Sequence, residues 1–301
     1  MKKTYLYAAI AILMWSTTPT ISKLLLDKSD SYTVLCISAL FAALVLLAFT
    51  LFGKKRSILK SYRFQDYFKM AVIGLPGVFL YYAFYYAGAE RMLASQAFIV
   101  NYLWPIMSIM FACILLKEKM TARKILAVVM SFLGVFTVAG GDIIQFHEET
   151  VMGVLFCFGG AVCYGLFTAL NKKSSYDKQI SMMVAMFMAF LPSLVVVLLR
   201  GDGITMTLGQ VPGLLWNGVF TMALANLAWA MALSSGNTAK ISNLAYITPF
   251  LSLVWTFFVL GEPIDPVSVV GLCMIVAGIL IQLKDQKAPK AAPEEIGEAR
   301  Q

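Results

Sequence analysis

Residues 95–134 read SQAFIVNYLWPIMSIMFACILLKEKMTARKILAVVMSFLG, and the 301-residue chain contains this pattern twice. A gapless shift of 144 positions lays Tyr102 on Tyr246, Pro105 on Pro249 and Ser108 on Ser252. The same shift lays Leu116 on Leu260, Glu118 on Glu262, Met130 on Met274 and Gly134 on Gly278. Each copy is a long apolar segment with a proline in its middle, ending at a lone glutamate. A second apolar segment with an internal glycine follows. A repeat of this size, made of lipid-soluble helices, points to a transporter built by duplication.

Working outward, 60% of the residues are hydrophobic and 13% are charged, too few charges to cover a soluble domain of this length. The charges fall into short clusters between apolar runs of about twenty residues, the length that crosses a bilayer as helix. The net charge of +8 reads as basic loops that set membrane orientation rather than as a nucleic-acid surface. Cys36, Cys113, Cys157, Cys163 and Cys273 lie inside apolar runs, where cysteine packs as a small hydrophobe; no disulfide framework, metal site or cofactor is expected.

Apolar segments fall at roughly 4–24, 32–52, 67–88, 94–116, 122–140, 150–170, 180–199, 211–233, 240–260 and 267–283. The expected fold class is therefore all-α integral membrane, with ten transmembrane helices in two five-helix repeats, 1–145 and 146–284. A Lys-, Pro-, Ala- and Glu-rich tail at 285–301 has almost nothing to bury and is expected to be disordered. With the N-terminus cytoplasmic, twenty Lys and Arg lie inside and only Lys23, Lys28, Arg91 and Arg200 outside, which places both termini in the cytoplasm. Five spans per repeat is odd, so the second repeat is expected upside down relative to the first. Inverted repeats can exchange shapes, giving inward-open and outward-open states.

Polar and aromatic side chains share helical faces. Trp15, Thr18, Pro19 and Ser22 lie at i, i+3, i+4, i+7 in the first span, and Tyr164, Phe167, Thr168 and Asn171 repeat the pattern in the sixth. Such faces look inward to a cavity, or else make helix–helix hydrogen bonds. Tyr81 with Tyr85, and Tyr82 with Tyr86, form stripes in the third span that line a pocket or sit in an interfacial belt. Asn101, Trp104 and Ser108 share a face of the fourth span, with Tyr102 on the next. Pro105 frees a carbonyl there, so the backbone can bend, bind ligand or merely kink for packing. Asn226 and Trp229 in the eighth span, and Asn243 and Tyr246 in the ninth, are each three apart. Gly134 and Gly278 are expected to permit close helix contact.

No Asp or Glu sits in mid-span. A proton-driven pump usually carries such a carboxylate, so movement of cargo down its own gradient, as a uniporter, is expected; drug or metabolite efflux by proton antiport is the alternative. Glu118 and Glu262 are expected to cap helix ends or form hinge salt bridges. An intramembrane enzyme is the rival from another class, but the second buried aspartate or embedded histidine it would need is missing. The absence of clustered intramembrane arginines argues against nucleotide-sugar cargo.

The Trp15–Ser16 pair, Gly261–Glu262–Pro263 near the ninth span and the duplicated proline-to-glutamate segment resemble the EamA-type branch of the drug/metabolite transporter superfamily over nearly all of 4–283. Asn101-Tyr102-Leu103-Trp104-Pro105, Ala139-Gly140-Gly141-Asp142, Asn237-Thr238 and Tyr246-Ile247-Thr248-Pro249 are similar to the aromatic amino-acid exporter group within it. Lys117 departs from the pattern, standing where glycine is expected before Glu118. The resemblance implies an inner-membrane exporter of amino acids and related metabolites that works by alternating access through a central cavity. Its partners would be a small-molecule substrate and the lipid bilayer, with the protein a monomer. The candidate substrate-binding residues are Trp15, Thr18, Tyr81, Tyr85, Asn101, Tyr102, Trp104, Tyr164, Thr168, Asn226, Trp229, Asn243 and Tyr246.

Overall fold

The computed structural model describes residues 2–144, 148–201, 204, 206–234 and 244–283, and among them there are helices and turns but no strand. Asn237, Thr238, Asn243, His147 and the tail lie outside the described residues. The first apolar segment is two helices, α1 (Lys2–Ser16) and α2 (Thr18–Leu26), parted at Thr17. Pro19 sits in the first turn of α2, where its missing N–H costs no helical hydrogen bond. Next come α3 (Ser31–Phe52), the short α4 (Arg56–Ser61) and α5 (Phe64–Gly74). The Asp30 carboxylate starts α3 by accepting from the N–H groups of Tyr32 and Thr33. A π-helical turn at Leu75–Leu80, opened by Pro76, joins α5 to α6 (Tyr81–Ala89).

The quoted stretch forms α7 (Ala94–Asn101), α8 (Trp104–Leu115) and most of α9 (Ala122–Ile144). The long helices α10 (Glu148–Lys173) and α11 (Lys178–Arg200) follow; Asp177 caps α11, and Gly201 ends it at φ +78°. A second π-helical stretch, Trp216–Leu224, links α12 (Val211–Leu215) to α13 (Ala225–Ser234). The last elements are α14 (Thr248–Trp255), prolonged by a π turn to Leu260, and α15 (Pro266–Leu283). Seven helical rods are long and apolar enough to cross a membrane, and two shorter apolar ones span Ala245–Leu260 and Pro266–Ile281. The chain is a multi-pass membrane protein.

The most extensive helix pairing is α9 against α15. A Cβ on Gly134 would lie 2.6 Å from the Gly271 carbonyl oxygen, and one on Gly278 would lie 2.7 Å from that of Ala127. Midway between these contacts, the Ser131 hydroxyl donates to the Ile275 carbonyl at 3.4 Å. The helices therefore run antiparallel, and the 144-residue shift turns each glycine contact into the other. Between lipid-soluble helices, close approach of backbones takes over from hydrophobic burial as the source of attraction. Elsewhere α3 packs on α11, α10 lies against α6 and α8, and α1 against α13.

Candidate functional site

The fourth apolar segment breaks where the sequence places Asn101 and Pro105. The α-helix stops at Asn101 and restarts at Trp104, because Pro105 has no N–H to return to the Asn101 carbonyl. The break is pinned from two sides. The Asn101 side-chain amide donates to the Cys157 carbonyl of α10 at 3.3 Å. The Tyr102 hydroxyl donates to the Ala245 carbonyl at 2.6 Å. Ala245 stands four residues before Pro249, so its carbonyl is the one that the second proline deprives of a helical partner. The Ala245 carbonyl also accepts from the Thr248 N–H in a tighter turn, so the Tyr102 side chain of one copy is a second donor to the break of the other. Gly160 lets α10 come this close, since a Cβ there would meet the Asn101 amide nitrogen at 3.0 Å and the Tyr81 carbonyl at 3.2 Å.

Aromatic rings gather around the break. Trp104 meets Tyr164 edge-on at 5.1 Å between centroids, and Tyr164 meets Tyr81 at 4.8 Å. Tyr81 stacks along its helix on Tyr85 at 6.3 Å, and Trp104 reaches Tyr102 at 6.3 Å. Separations of this size, tilted or edge-on, are the attractive geometries for aromatic pairs. Tyr85 is wholly buried, and its hydroxyl has no hydrogen-bond partner among the described residues. Tyr81, Trp104 and Tyr164 are half-buried and so leave ring surface uncovered beside the break.

Six expected site residues, Tyr81, Tyr85, Asn101, Tyr102, Trp104 and Tyr164, are therefore brought together. Trp15 and Trp229 form a separate tilted pair, 5.4 Å apart, where α1 packs on α13. Tyr246 is half-buried at the edge of the main core. Thr18 is buried in the first turn of α2. Thr168 and Asn226 turn back onto their own helices, donating to the carbonyls of Tyr164 at 2.8 Å and Met222 at 2.7 Å; this is the local hydrogen bonding open to such side chains. Asn243 lies outside the described residues.

Sequence reasoning missed Asn217. It is fully buried in the second π-helical stretch, and its amide donates to the Ser38 hydroxyl at 3.0 Å and the Tyr86 hydroxyl at 2.8 Å. An amide in an otherwise apolar run was the signal available for it. Two indoles were missed as well: Trp216 donates to Thr17 and Trp255 to Ser16, both at 2.9 Å. They hold the break between α1 and α2 from two different helices.

The paired glutamates end this part of each copy. Lys117 and Gly261 both adopt left-handed backbone, at φ +56° and +71°. The Glu118 N–H then reaches back to the Ala112 carbonyl, and the Glu262 N–H to that of Thr256, positions again 144 apart. This is the six-residue closure typical of a helix ending on a left-handed residue. Glu118 pairs with Lys124 and Lys172, each at 3.2 Å. Burial by itself would raise its carboxyl, but hydrogen bonds from Lys172 and Lys124, with their charges, hold it below the usual carboxylate range. Glu262 instead caps α7, accepting from the N–H groups of Ala94 and Ser95. Among the described residues, Glu118 makes salt bridges and Glu262 makes a cap.

Comparison with known proteins agrees with this architecture. A solved crystal structure superposes with a TM-score of 0.64 at 19% identity, covering 93% of this chain and 96% of that one. An uncharacterized transporter of Clostridium kluyveri is 25% identical over 95% of both chains. The aromatic amino acid exporter YddG of Escherichia coli is 25% identical over 62% of this chain and 66% of its own length. The EamA-like transporter family matches residues 2–140 and 151–283. With both halves of the chain matched, the protein belongs to the EamA-like transporter family, whose members are transporters and not enzymes.

Proposed function

We propose that the protein exports neutral, chiefly aromatic amino acids and related small metabolites across the cell's inner membrane by alternating access. The observation that carries this reading is the ring cluster of Tyr81, Tyr164 and Trp104 beside the Asn101–Pro105 break. Half-buried rings offer faces to an aromatic side chain, and the Asn101 carbonyl, which Pro105 cannot satisfy, suits an ammonium group. The remaining candidate residues, Trp15, Thr18, Tyr85, Tyr102, Thr168, Asn226, Trp229, Asn243 and Tyr246, complete the walls or support them. Ten spans in two inverted repeats, with both termini cytoplasmic and the protein a monomer, form the frame. The antiparallel contacts of Gly134 and Gly278 support that frame, because a two-fold axis in the membrane plane would produce them. Cargo moves down its own gradient as uniport, in keeping with the lack of a mid-span carboxylate in the sequence.

Purified protein in liposomes, loaded with radiolabelled tryptophan and challenged with a panel of amino acids, tests the cargo. Saturable tryptophan flux that other aromatic amino acids suppress is the expected result. Flux of none of the panel would remove amino acids as cargo.

A further inference from the structure

The two glutamates are presented by matching backbone, yet Glu262 is engaged in a way that ties separate parts of the fold together. Its side chain is 8% exposed. One carboxylate oxygen accepts from the Ala94 N–H at 2.7 Å. The other accepts from the Ser95 N–H at 3.0 Å and the Ser95 hydroxyl at 2.6 Å. These donors, 167 to 168 positions away in sequence, form the first turn of α7, the half-helix that leads straight to the Asn101–Pro105 break. The acceptor is held just as firmly. Gly261 sets the turn, Pro263 follows, and Asp265 caps α15 through the N–H groups of Val267 and Ser268.

We propose that Glu262 is a latch that closes the α7 end of the transport path and must release Ala94 and Ser95 each time that end opens. A carboxylate with three donors is strongly held while buried, because charge-assisted bonds exceed neutral ones. It is also readily exchanged for water once the end opens, since the freed N–H groups and the carboxylate are all hydrated there. Among the described residues Glu118, on the equivalent turn, meets Lys124 and Lys172; positions 238 and 239, the counterparts of Ala94 and Ser95, lie outside them. The latch rests on the transporter assignment and not on the choice of cargo.

The test combines cross-linking with amide exchange. Cysteines replacing Ser95 and Glu262 together are joined by a short bis-methanethiosulfonate cross-linker, which spans the gap that a side chain shorter than glutamate leaves and which reduction removes. Once mass analysis shows the bond, flux of whichever panel solute the wild type carries should fall at least about tenfold and return on reduction. Flux that continues through a verified cross-link overturns the latch. Hydrogen–deuterium exchange needs no cargo, so it separates failure of the latch from failure of the amino-acid reading. In E262A, and more weakly in S95A, the Ala94 and Ser95 amides should exchange about tenfold faster or more. Exchange at residues 117–121 should slow as the opposite end closes. Acceleration confined to Ala94 and Ser95, with 117–121 unchanged, would leave only a helix cap and sink the proposal. S95A retains both backbone bonds, so it yields a folded comparison if E262A does not fold.

Discussion

Lys117 holds a left-handed backbone at φ +56° where its counterpart is Gly261 at φ +71°. A side-chain-bearing residue pays roughly 1–2 kcal/mol for that conformation. Part of the relief from glycine is lost to greater freedom of the unfolded chain. Lys117→Gly should therefore raise stability by about 0.5–1 kcal/mol, measured by denaturant unfolding in detergent. Beside it, the lowered pKa of Glu118 has a definite sign. A carboxyl depressed in the folded state contributes stability above its unfolded pKa of about 4.3 and loses it as pH falls through the folded value. The difference in melting temperature between wild type and Glu118→Gln should thus be largest near neutrality and shrink below about pH 4; a gap unchanged at pH 3 would contradict the ion-pair account. In the ring cluster, Trp104→Ala removes an edge-on contact with Tyr164. It should weaken apparent affinity about fivefold to tenfold while the protein still inserts. Wild-type transport kinetics in that variant would take Trp104 out of the site.

Among the elements, α9 and α15 are the pair whose contact is least tolerant. A side chain at Gly134 would strike the Gly271 carbonyl and Ile275, and one at Gly278 would strike Ala127 and Ser131. Backbone cannot rotate away as a flexible side chain can, so the helices must separate. Gly134→Leu and Gly278→Leu should each destabilise by about 1–3 kcal/mol or more, read as a loss of folded protein on size exclusion. Equal losses would fit the symmetry of the contact. The helix breaks were only partly legible. Pro105 announced the bend in its segment, because a missing N–H is a property of the residue itself. The break at Thr17 was not foreseen, although Pro19, like Pro105, stands in the first turn of the restarted helix and lacks an N–H for the carbonyl four residues earlier. Two indoles, Trp216 and Trp255, arrive at that break from far along the chain. The π-helical turns at Leu75–Leu80 and Trp216–Leu224 leave no mark in a hydropathy profile either.

For the whole molecule, orientation and coupling are the properties to test. The twenty-to-four division of basic residues predicts cytoplasmic termini. In a background without other cysteines, thiols placed at Ser57 and Lys287 should resist an impermeant reagent in intact cells, and one at Glu148 should react. The opposite pattern would overturn the cytoplasmic termini, and the same reactivity at all three sites would overturn the inverted arrangement. Uniport predicts that a pH gradient, imposed with equal substrate on both sides of a proteoliposome, drives no accumulation. Uphill accumulation abolished by a protonophore would establish proton coupling instead, with Glu118 and Glu262 the first residues to substitute.

The amino-acid sequence alone determined the membrane class, the 144-residue repeat and the residues around Pro105, because hydropathy, periodicity and a missing N–H are local properties. It also put two glutamates at equivalent helix ends. Tertiary structure alone brought each its partners: Glu262 meets the free N–H groups of α7, and among the described residues Glu118 meets two lysines. It likewise sorted the aromatic residues, placing Trp104 with Tyr164 and Tyr81 but Trp229 with Trp15. The reason is physical. A helical face fixes the direction in which a side chain points, but the partner it meets depends on which helix packs there. That packing is chosen where backbones approach most closely, at glycines such as Gly134 and Gly160 whose neighbours lie far away in sequence.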